Sequence, residues 1–351
     1  MAVSRPRFVR SAALTGAAFI ALTGSAFAQA GERYAAIVID AQSNEVLLQE
    51  QADEQRYPAS LTKMMTLYML FDALERGQIG LEDRIVASRA ASRMPPSRLG
   101  VRRGDTLTVE QAIGALVVQS ANDVAVMVAE RLGGTESNFA ARMTARAQQI
   151  GLTNTRFVNA SGLPDPRIRT TARDMAALSL ALWRDYPQYY HYFQTPSNAW
   201  RGRSGRNHNR LLGAVDGVDG IKTGYTRVSG YNLASSAERG GRRIIAVVLG
   251  GETAAARDAQ VAYLLEGGFE ELSRRGLIDP SAVTFTSLPT NNVNARFNTQ
   301  GQVSAVANVR PGFQAAPAMG APLGPLRGPF DNQPAMAMPQ GDAGEEGDAA
   351  R

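Results

Sequence analysis

The stretch Tyr57-Pro58-Ala59-Ser60-Leu61-Thr62-Lys63-Met64-Met65-Thr66-Leu67-Tyr68-Met69-Leu70-Phe71-Asp72-Ala73-Leu74-Glu75-Arg76-Gly77 decides how the rest of this chain is read. Pro58 near its start and Gly77 just past its end bracket about five turns of helix. From Met64 to Leu74 the apolar residues run nearly all the way round, which predicts a helix buried on most sides rather than one lying on a surface. Ser60 and Lys63, three residues apart at the first turn, project from one face. A hydroxyl and an amine thus share the mouth of a buried helix.

The amine stands out because lysine is almost absent. Of 37 lysines and arginines, only Lys63 and Lys222 are lysine. Arginine keeps its proton at any useful pH, whereas a lysine that is desolvated or placed beside another cation can lose it. A GC-rich coding bias would also thin out lysine, so the argument turns on where the two survivors sit. Lys222 lies in Lys222-Thr223-Gly224, at the end of the strand-like Gly217-Val218-Asp219-Gly220-Ile221. A glycine after Thr223 removes a side chain and lets a ligand approach the strand edge.

Upstream, residues 1–30 read as a secretory signal peptide. Arg5, Arg7 and Arg10 precede an apolar run from Ser11 to Thr23, and Ala26-Phe27-Ala28 and Ala28-Gln29-Ala30 both offer a small-residue cleavage pattern. The run is too short to span a bilayer comfortably. Its three arginines account for three of the net charges in a total of +5, so the basic balance belongs largely to a segment expected to be removed. With no cysteine there is no disulfide, thiol nucleophile or cysteine metal site, and two histidines exclude a histidine-rich one. No cofactor is expected. There is no lysine-rich patch and no aromatic–basic interleaving to suggest nucleic acid.

Residues 31–275 hold both tryptophans, all ten tyrosines and every clear periodic segment, enough for one sizeable domain. Tyr34–Asp40 and Glu45–Leu48 flank Ser43-Asn44 as a hairpin. Thr108-Val109-Glu110-Gln111 fits a capping box opening a helix to about Val118. A second helix is predicted from about Asp123 to Leu132, stopping at Gly133-Gly134, with further helices near 136–149, 173–184 and 254–272. Val218–Thr223, Tyr231–Ala237 and Arg243–Leu249 are strand-like, the last two joined across Arg239-Gly240-Gly241. Strands at both ends with helices between them predict an α/β fold of the α+β kind, a mostly antiparallel five-stranded sheet covered by helices. From about Gly276 the composition changes. Nine of the 17 prolines fall in the last 76 residues, and 276–351 read as a Pro/Gly/Ala-rich, mostly disordered tail with a short strand allowed near Ala282–Ser287.

A third motif, Ser120-Ala121-Asn122, falls between two predicted helices, where side chains need not serve the helix. Ser-x-x-Lys, Ser-x-Asn and Lys-Thr-Gly are each weak alone. All three in this order, in a chain with two lysines, resemble the motifs of the penicillin-recognising serine enzymes. Gly104-Asp105, Phe157-Val158-Asn159-Ala160-Ser161-Gly162-Leu163, Ala172-Arg173-Asp174-Met175, Asn207-His208-Asn209-Arg210-Leu211-Leu212 and Gly230-Tyr231-Asn232-Leu233 narrow the resemblance to the low-molecular-mass D-alanyl-D-alanine carboxypeptidases over residues 31–275.

The resemblance implies a β-lactamase/transpeptidase-like fold whose buried central helix carries Ser60. It implies that Ser60 attacks the carbonyl between the two terminal D-alanines of a peptidoglycan stem peptide and forms an acyl-enzyme. Lys63 would be the neutral amine that takes the serine proton, and Ser120 would relay a proton to the leaving amine. Asn122 would hold the substrate backbone. Lys222, remaining charged, would steer the substrate carboxylate and lower the pKa of Lys63, and Thr223 would bind that carboxylate. Gly224 leaves room for the substrate, while the amides of Ser60 and Tyr225 would form the oxyanion hole. Arg257 matches a family arginine that helps with the carboxylate, although a surface salt bridge explains it nearly as well. β-Lactam antibiotics would acylate the same serine. Expected localisation is exported and periplasmic, at most loosely associated with the inner membrane or wall.

Competing readings are weaker on the residues. A Ser60–His208–aspartate triad is unnecessary where Ser-x-x-Lys supplies a base, so His208 is expected to pack or hydrogen-bond near a strand. His191 is expected to be structural and Asp174 to cap its helix. An endopeptidase cutting peptidoglycan cross-links would use the same motifs. A β-lactamase would need a deacylating base, and no Glu-x-x-Leu-Asn segment stands between the second and third motifs. A non-catalytic wall-binding protein would not need every catalytic position filled. Many relatives carry a β-rich domain and an amphipathic membrane helix after the catalytic domain. Here the tail has neither signal, which speaks against membrane attachment.

Overall fold

The computed structural model describes residues 33–283 and the short segments 296–297 and 303–304. The expected leader at 1–30 and most of the expected tail from 276 onward lie outside the described residues.

Strand β1 (Ala35–Asp40) pairs with β2 (Val46–Glu50) as the predicted hairpin. Helix α1 (Thr62–Glu75) follows, then α2 (Val109–Val118), α3 (Asn122–Gly133), α4 (Glu136–Gln149) and α5 (Ala172–Asp185). Three long strands come next, β3 (Val218–Thr226), β4 (Gly230–Arg239) and β5 (Arg242–Gly251), and helix α6 (Ala254–Arg274) runs back over them. The five strands form one antiparallel sheet in the order β2-β1-β5-β4-β3. The predicted α+β architecture is therefore the observed one. Two small ribbons, Arg84–Val86 with Thr106–Thr108 and Ser197–Trp200 with Arg203–Arg206, lie outside that sheet.

Alternation along the strands explains why helices cover both faces. Ala35, Ile37 and Ile39 of β1 join Ile245, Val247 and Leu249 of β5 in the larger core, against α1, α2, α3 and α5. Ala36 and Val38 point the other way and join Ile244, Ala246 and Val248 against Val261, Leu264, Leu265 and Phe269 of α6. Every side chain is used because each face has its own helical layer. That second core extends to Ile278, and a 3₁₀ turn follows at Pro280–Ala282, where a strand near 282–287 was allowed. The rest of that stretch lies outside the described residues.

Helix α1 is the centre of the larger core. Thr62 to Phe71 and Ala73 are all buried, as apolar residues on every side require. The regular helix is shorter than the five turns expected from Pro58 to Gly77, because Ala59–Leu61 wind as a 3₁₀ turn before it. Ser60 sits on that turn and Lys63 in the first α-helical turn. The predicted capping box at Thr108 and Gln111 is formed and opens α2. Asp174 does not cap its helix. Thr171 does, and the Asp174 carboxylate instead accepts from the Asn154 amide at 2.9 Å and the Thr155 hydroxyl at 2.6 Å.

Two glycines fit the nucleophile turn into place. Gly162 has φ +80°, and a Cβ there would lie 1.8 Å from the Ala59 carbonyl oxygen and 2.8 Å from Thr62 Oγ1. Gly224 on β3 approaches the same turn, where a Cβ would lie 3.0 Å from the Ser60 amide nitrogen. Gly162→Ala should therefore lose about 2–5 kcal/mol of unfolding free energy, combining left-handed strain with overpacking. Gly104→Ala, at φ +86° with nothing within 4 Å, should lose only about 1–2 kcal/mol. Urea unfolding of the two variants checks the difference, and equal losses would mean that the close approach at Gly162 is easily relieved.

Candidate active site

Ser60 and Lys63 meet as their spacing requires, with Lys63 Nζ 3.1 Å from Ser60 Oγ. The amine is fully buried and also donates to Asn122 Oδ1 at 2.8 Å and to the Ser161 carbonyl at 2.6 Å. Neither of those two acceptors can donate a proton from the contacting oxygen. A neutral amine has two N–H groups and one lone pair, so both hydrogens are taken and the lone pair is left for the Ser60 hydroxyl. Burial, first, and then the nearby Lys222 hold the Lys63 pKa well below its ordinary value, with Asp123 pulling weakly the other way.

Asn122, the first residue of α3, is fixed on its other side by donating Nδ2 to the Pro95 carbonyl at 3.0 Å. Ser120 holds an uncommon left-handed backbone, φ +54°, and its buried Oγ has no hydrogen-bond partner among the described residues. The strain and the free hydroxyl coincide on a side chain that lines the cleft above Ser60.

That cleft has a volume of about 550 Å³ and is walled by Ser60, Ser120, Asn122, Thr223, Gly224, Tyr225 and Arg257, all named from the sequence. Lys222 lies buried beside it and donates to the Thr223 carbonyl at 3.2 Å. Burial, first, and then the Arg257 charge bring the pKa of Lys222 down to about 7, so the charge expected there is partial near neutrality. Arg257 opens onto the cleft, yet one nitrogen donates to the Asn232 carbonyl at 2.6 Å and the guanidinium is ion-paired with Asp258, 2.8 Å from Nε to Oδ1. Tyr225 is largely exposed and stacks on Tyr231 with ring centroids 4.2 Å apart.

His208 lines the cleft, one wall of which is Thr223 to Thr226 of strand β3. Burial and the charges of Lys222, Arg257, Lys63 and Arg210 lower its pKa to about 4, so it is neutral at pH 7. The amine against Ser60 belongs to Lys63, and the triad reading has no contact to stand on. His191 Nδ1 donates to the Gln188 carbonyl, 2.9 Å away, and its ring leans on Tyr192.

Sequence reasoning passed over four contributors. The Ser161 carbonyl acts through its backbone, which no side-chain pattern announces. Asn232 donates to the carbonyls of Tyr57 at 2.9 Å and Pro58 at 3.1 Å, pinning the nucleophile turn to β4. Asp123 accepts from the amides of Leu99, Gly100 and Val101 at 2.9, 2.7 and 3.1 Å and holds the loop before the Ser120 motif's helix. Arg210 lines the cleft as a further cation.

The sequence profile of D-alanyl-D-alanine carboxypeptidases matches residues 25–253. This chain belongs to that family. It is 33% identical to the D-alanyl-D-alanine carboxypeptidase DacF of Bacillus subtilis, over 74% of this chain and 70% of that protein. It is 36% identical to DacC of Escherichia coli, over 71% of this chain and 64% of that one. The chain thus spans roughly two thirds of the length of these curated relatives. Among solved structures it resembles penicillin-binding protein 5 of Haemophilus influenzae, with TM-score 0.65, 34% identity, 67% of this chain and 70% of that chain. It also resembles penicillin-binding protein D2 of Listeria monocytogenes in an ampicillin-bound form, with TM-score 0.62, 31% identity, 67% of this chain and 96% of that chain. Among the described residues no helix is long and apolar enough to cross a membrane.

With its pKa near 7, Lys222 should make the binding of an anionic ligand a proton-linked event. At pH 8 it is mostly neutral, and an anion beside it raises its pKa, so binding takes up a proton. At pH 5.5 it is already protonated and the uptake vanishes. Titrating the Ser60→Ala protein calorimetrically with a D-Ala-D-Ala peptide, in two buffers of different ionisation enthalpy, should give uptake approaching about one proton at pH 8 and none at pH 5.5. No uptake at pH 8 would mean that the carboxylate does not engage Lys222.

Proposed function

We propose that this chain is a serine-type D-alanyl-D-alanine carboxypeptidase that removes the terminal D-alanine of peptidoglycan pentapeptides through an acyl-enzyme on Ser60. The observation that carries the reading is the coordination of Lys63 Nζ, whose two fixed acceptors leave its lone pair directed at the Ser60 hydroxyl. As Ser60 Oγ attacks the carbonyl between the two D-alanines, its proton passes to Lys63. The oxyanion forms where Gly224 lets β3 approach the Ser60 turn, within reach of the amides of Ser60 and Tyr225. Collapse breaks the C–N bond. The leaving amine takes a proton by way of Ser120, whose hydroxyl is otherwise unpartnered, and free D-alanine departs. Water then attacks the ester, its proton moving to the Lys63 side, and the shortened peptide is released from Ser60. Thr223, Lys222 and Arg257 receive the terminal carboxylate, and Asn122 aligns the peptide backbone.

The N-terminal leader pattern supports export, and peptidoglycan as substrate supports action in the periplasm. Covalent trapping by β-lactams follows from the same nucleophile, since a strained lactam presents a carbonyl to Ser60 and its ring amine cannot leave the cleft. Acting on cross-linked dimers would make the enzyme an endopeptidase with the same machinery.

Incubation with purified pentapeptide monomers should release free D-alanine faster than cross-linked dimers are converted. Preferential conversion of the dimers would overturn the carboxypeptidase reading. Ser60→Ala should lose both D-alanine release and labelling by a fluorescent penicillin. Lys63→Met keeps most of the packing volume and removes the base. Its acylation rate, followed by stopped-flow with the same penicillin, should fall by at least ~10²-fold, and acylation near the wild-type rate would place the base elsewhere.

A further inference from the structure

Arg156 and Arg169 face each other across an isolated antiparallel bridge, with Arg156 N donating to Arg169 O at 2.9 Å and Arg169 N to Arg156 O at 3.2 Å. Directly opposed residues on such a bridge put their side chains on the same side, and like charges so placed repel. Neither guanidinium has an ion pair or a side-chain hydrogen bond among the described residues. Arg167, two positions before Arg169, adds a third guanidinium and is held by Asp165 at 2.8 Å. Asp165 also feels the charge of Arg156, so one carboxylate, already hydrogen-bonded to Arg167, is shared by two of the three cations.

These three arginines wall a concave basin of about 540 Å³, closed on its other side by Ser137, Thr144 and Gln148 of α4. Its size is that of a small-ligand site. Its walls carry guanidinium groups and the polar side chains of Ser137 and Gln148, and no carboxylate is among its lining residues. The basin is separate from the cleft of Ser60, with no lining residue in common. Guanidinium groups lining one basin can match the oxygens of a phosphate group by paired N–H···O contacts.

We propose that this basin binds a phosphate-type oxyanion, with Arg156 and Arg169 as its paired ligands and Arg167 as a third cation. The anion supplies the counter-charge that the bridge lacks. Phosphate could reach it as a soluble phosphate or pyrophosphate, or as the headgroup of an anionic lipid, and the two sources separate experimentally.

The test uses the purified full chain and the double variant Arg156→Gln/Arg169→Gln, at constant ionic strength set with sodium chloride. Pyrophosphate at about a hundredfold excess over its Kd should raise the wild-type Tm by roughly 5 °C and leave the variant unmoved. Without ligand the variant should melt no lower than wild type, because it loses a repulsion. Co-sedimentation with phosphatidylglycerol vesicles, against phosphatidylcholine vesicles, gives the second arm. Retention lost in the variant supports the site with a headgroup as the source, and a response to pyrophosphate alone supports it with a soluble phosphate. Equal responses of wild type and variant, no response of wild type to either probe, or a variant that melts several degrees lower without ligand would each overturn the proposal.

Discussion

The desolvation of one amine governs the architecture. Lys63 loses its water because α1 is surrounded by helices and sheet over Thr62 to Phe71, and burying an ammonium without an ion-pair partner disfavours its charged form and holds its pKa well below the ordinary value. Coulomb repulsion from Lys222 acts in the same direction. The packing of a hydrophobic core and the weakening of this amine's hold on its proton are here one event. A helix with a solvent-facing side would leave that amine hydrated and charged.

Precision then comes from backbone groups. The Ser60 turn is gripped from the sheet by Asn232, which also accepts from the Gly250 amide at 2.9 Å and so joins β4, β5 and the turn in one contact set. It is gripped from the opposite side by the segment 159–163, which brings the Ser161 carbonyl to Lys63 and lays Gly162 against Ala59. The Asn159 side chain shapes that segment by accepting from the amides of Ser161 at 3.2 Å and Gly162 at 2.7 Å. The nucleophile is thus clamped between rigid supports, which keeps a short 3₁₀ turn in one geometry.

Much of this was legible in the residues. Apolar positions on every side of Met64–Leu74 announced a central helix, the hairpin at Tyr34–Asp40 and the strand-like run Arg243–Leu249 announced sheet strands, and scarce lysine singled out Lys63 and Lys222. What escaped has a common physical origin. Carbonyls such as that of Ser161 carry no side-chain signature, and clamps such as Asn232 and Asp123 join residues far apart in the chain, so their polar side chains look ordinary until the fold brings their partners in. The misassigned Asp174 shows the limit of local rules, since it has a helix-start residue type at a helix start but spends its carboxylate on a neighbouring loop. The depressed pKa of Lys222 depends on Arg257, 35 positions later, and on enclosure by elements that no local window contains.

The strand order carries a consequence for how the molecule comes to be. Ala35 pairs with Leu249 and Asp40 with Ile244, so the first strand made finds its central partner only after roughly two hundred further residues exist. Such long-range pairing delays closure of the sheet. Until β5 arrives, neither face of β1 has its full cover and the turn bearing Ser60 lacks its anchors on β4. A chain built this way stays open during synthesis, and its nucleophile is held in place only once β4 and β5 have docked on the turn that bears it.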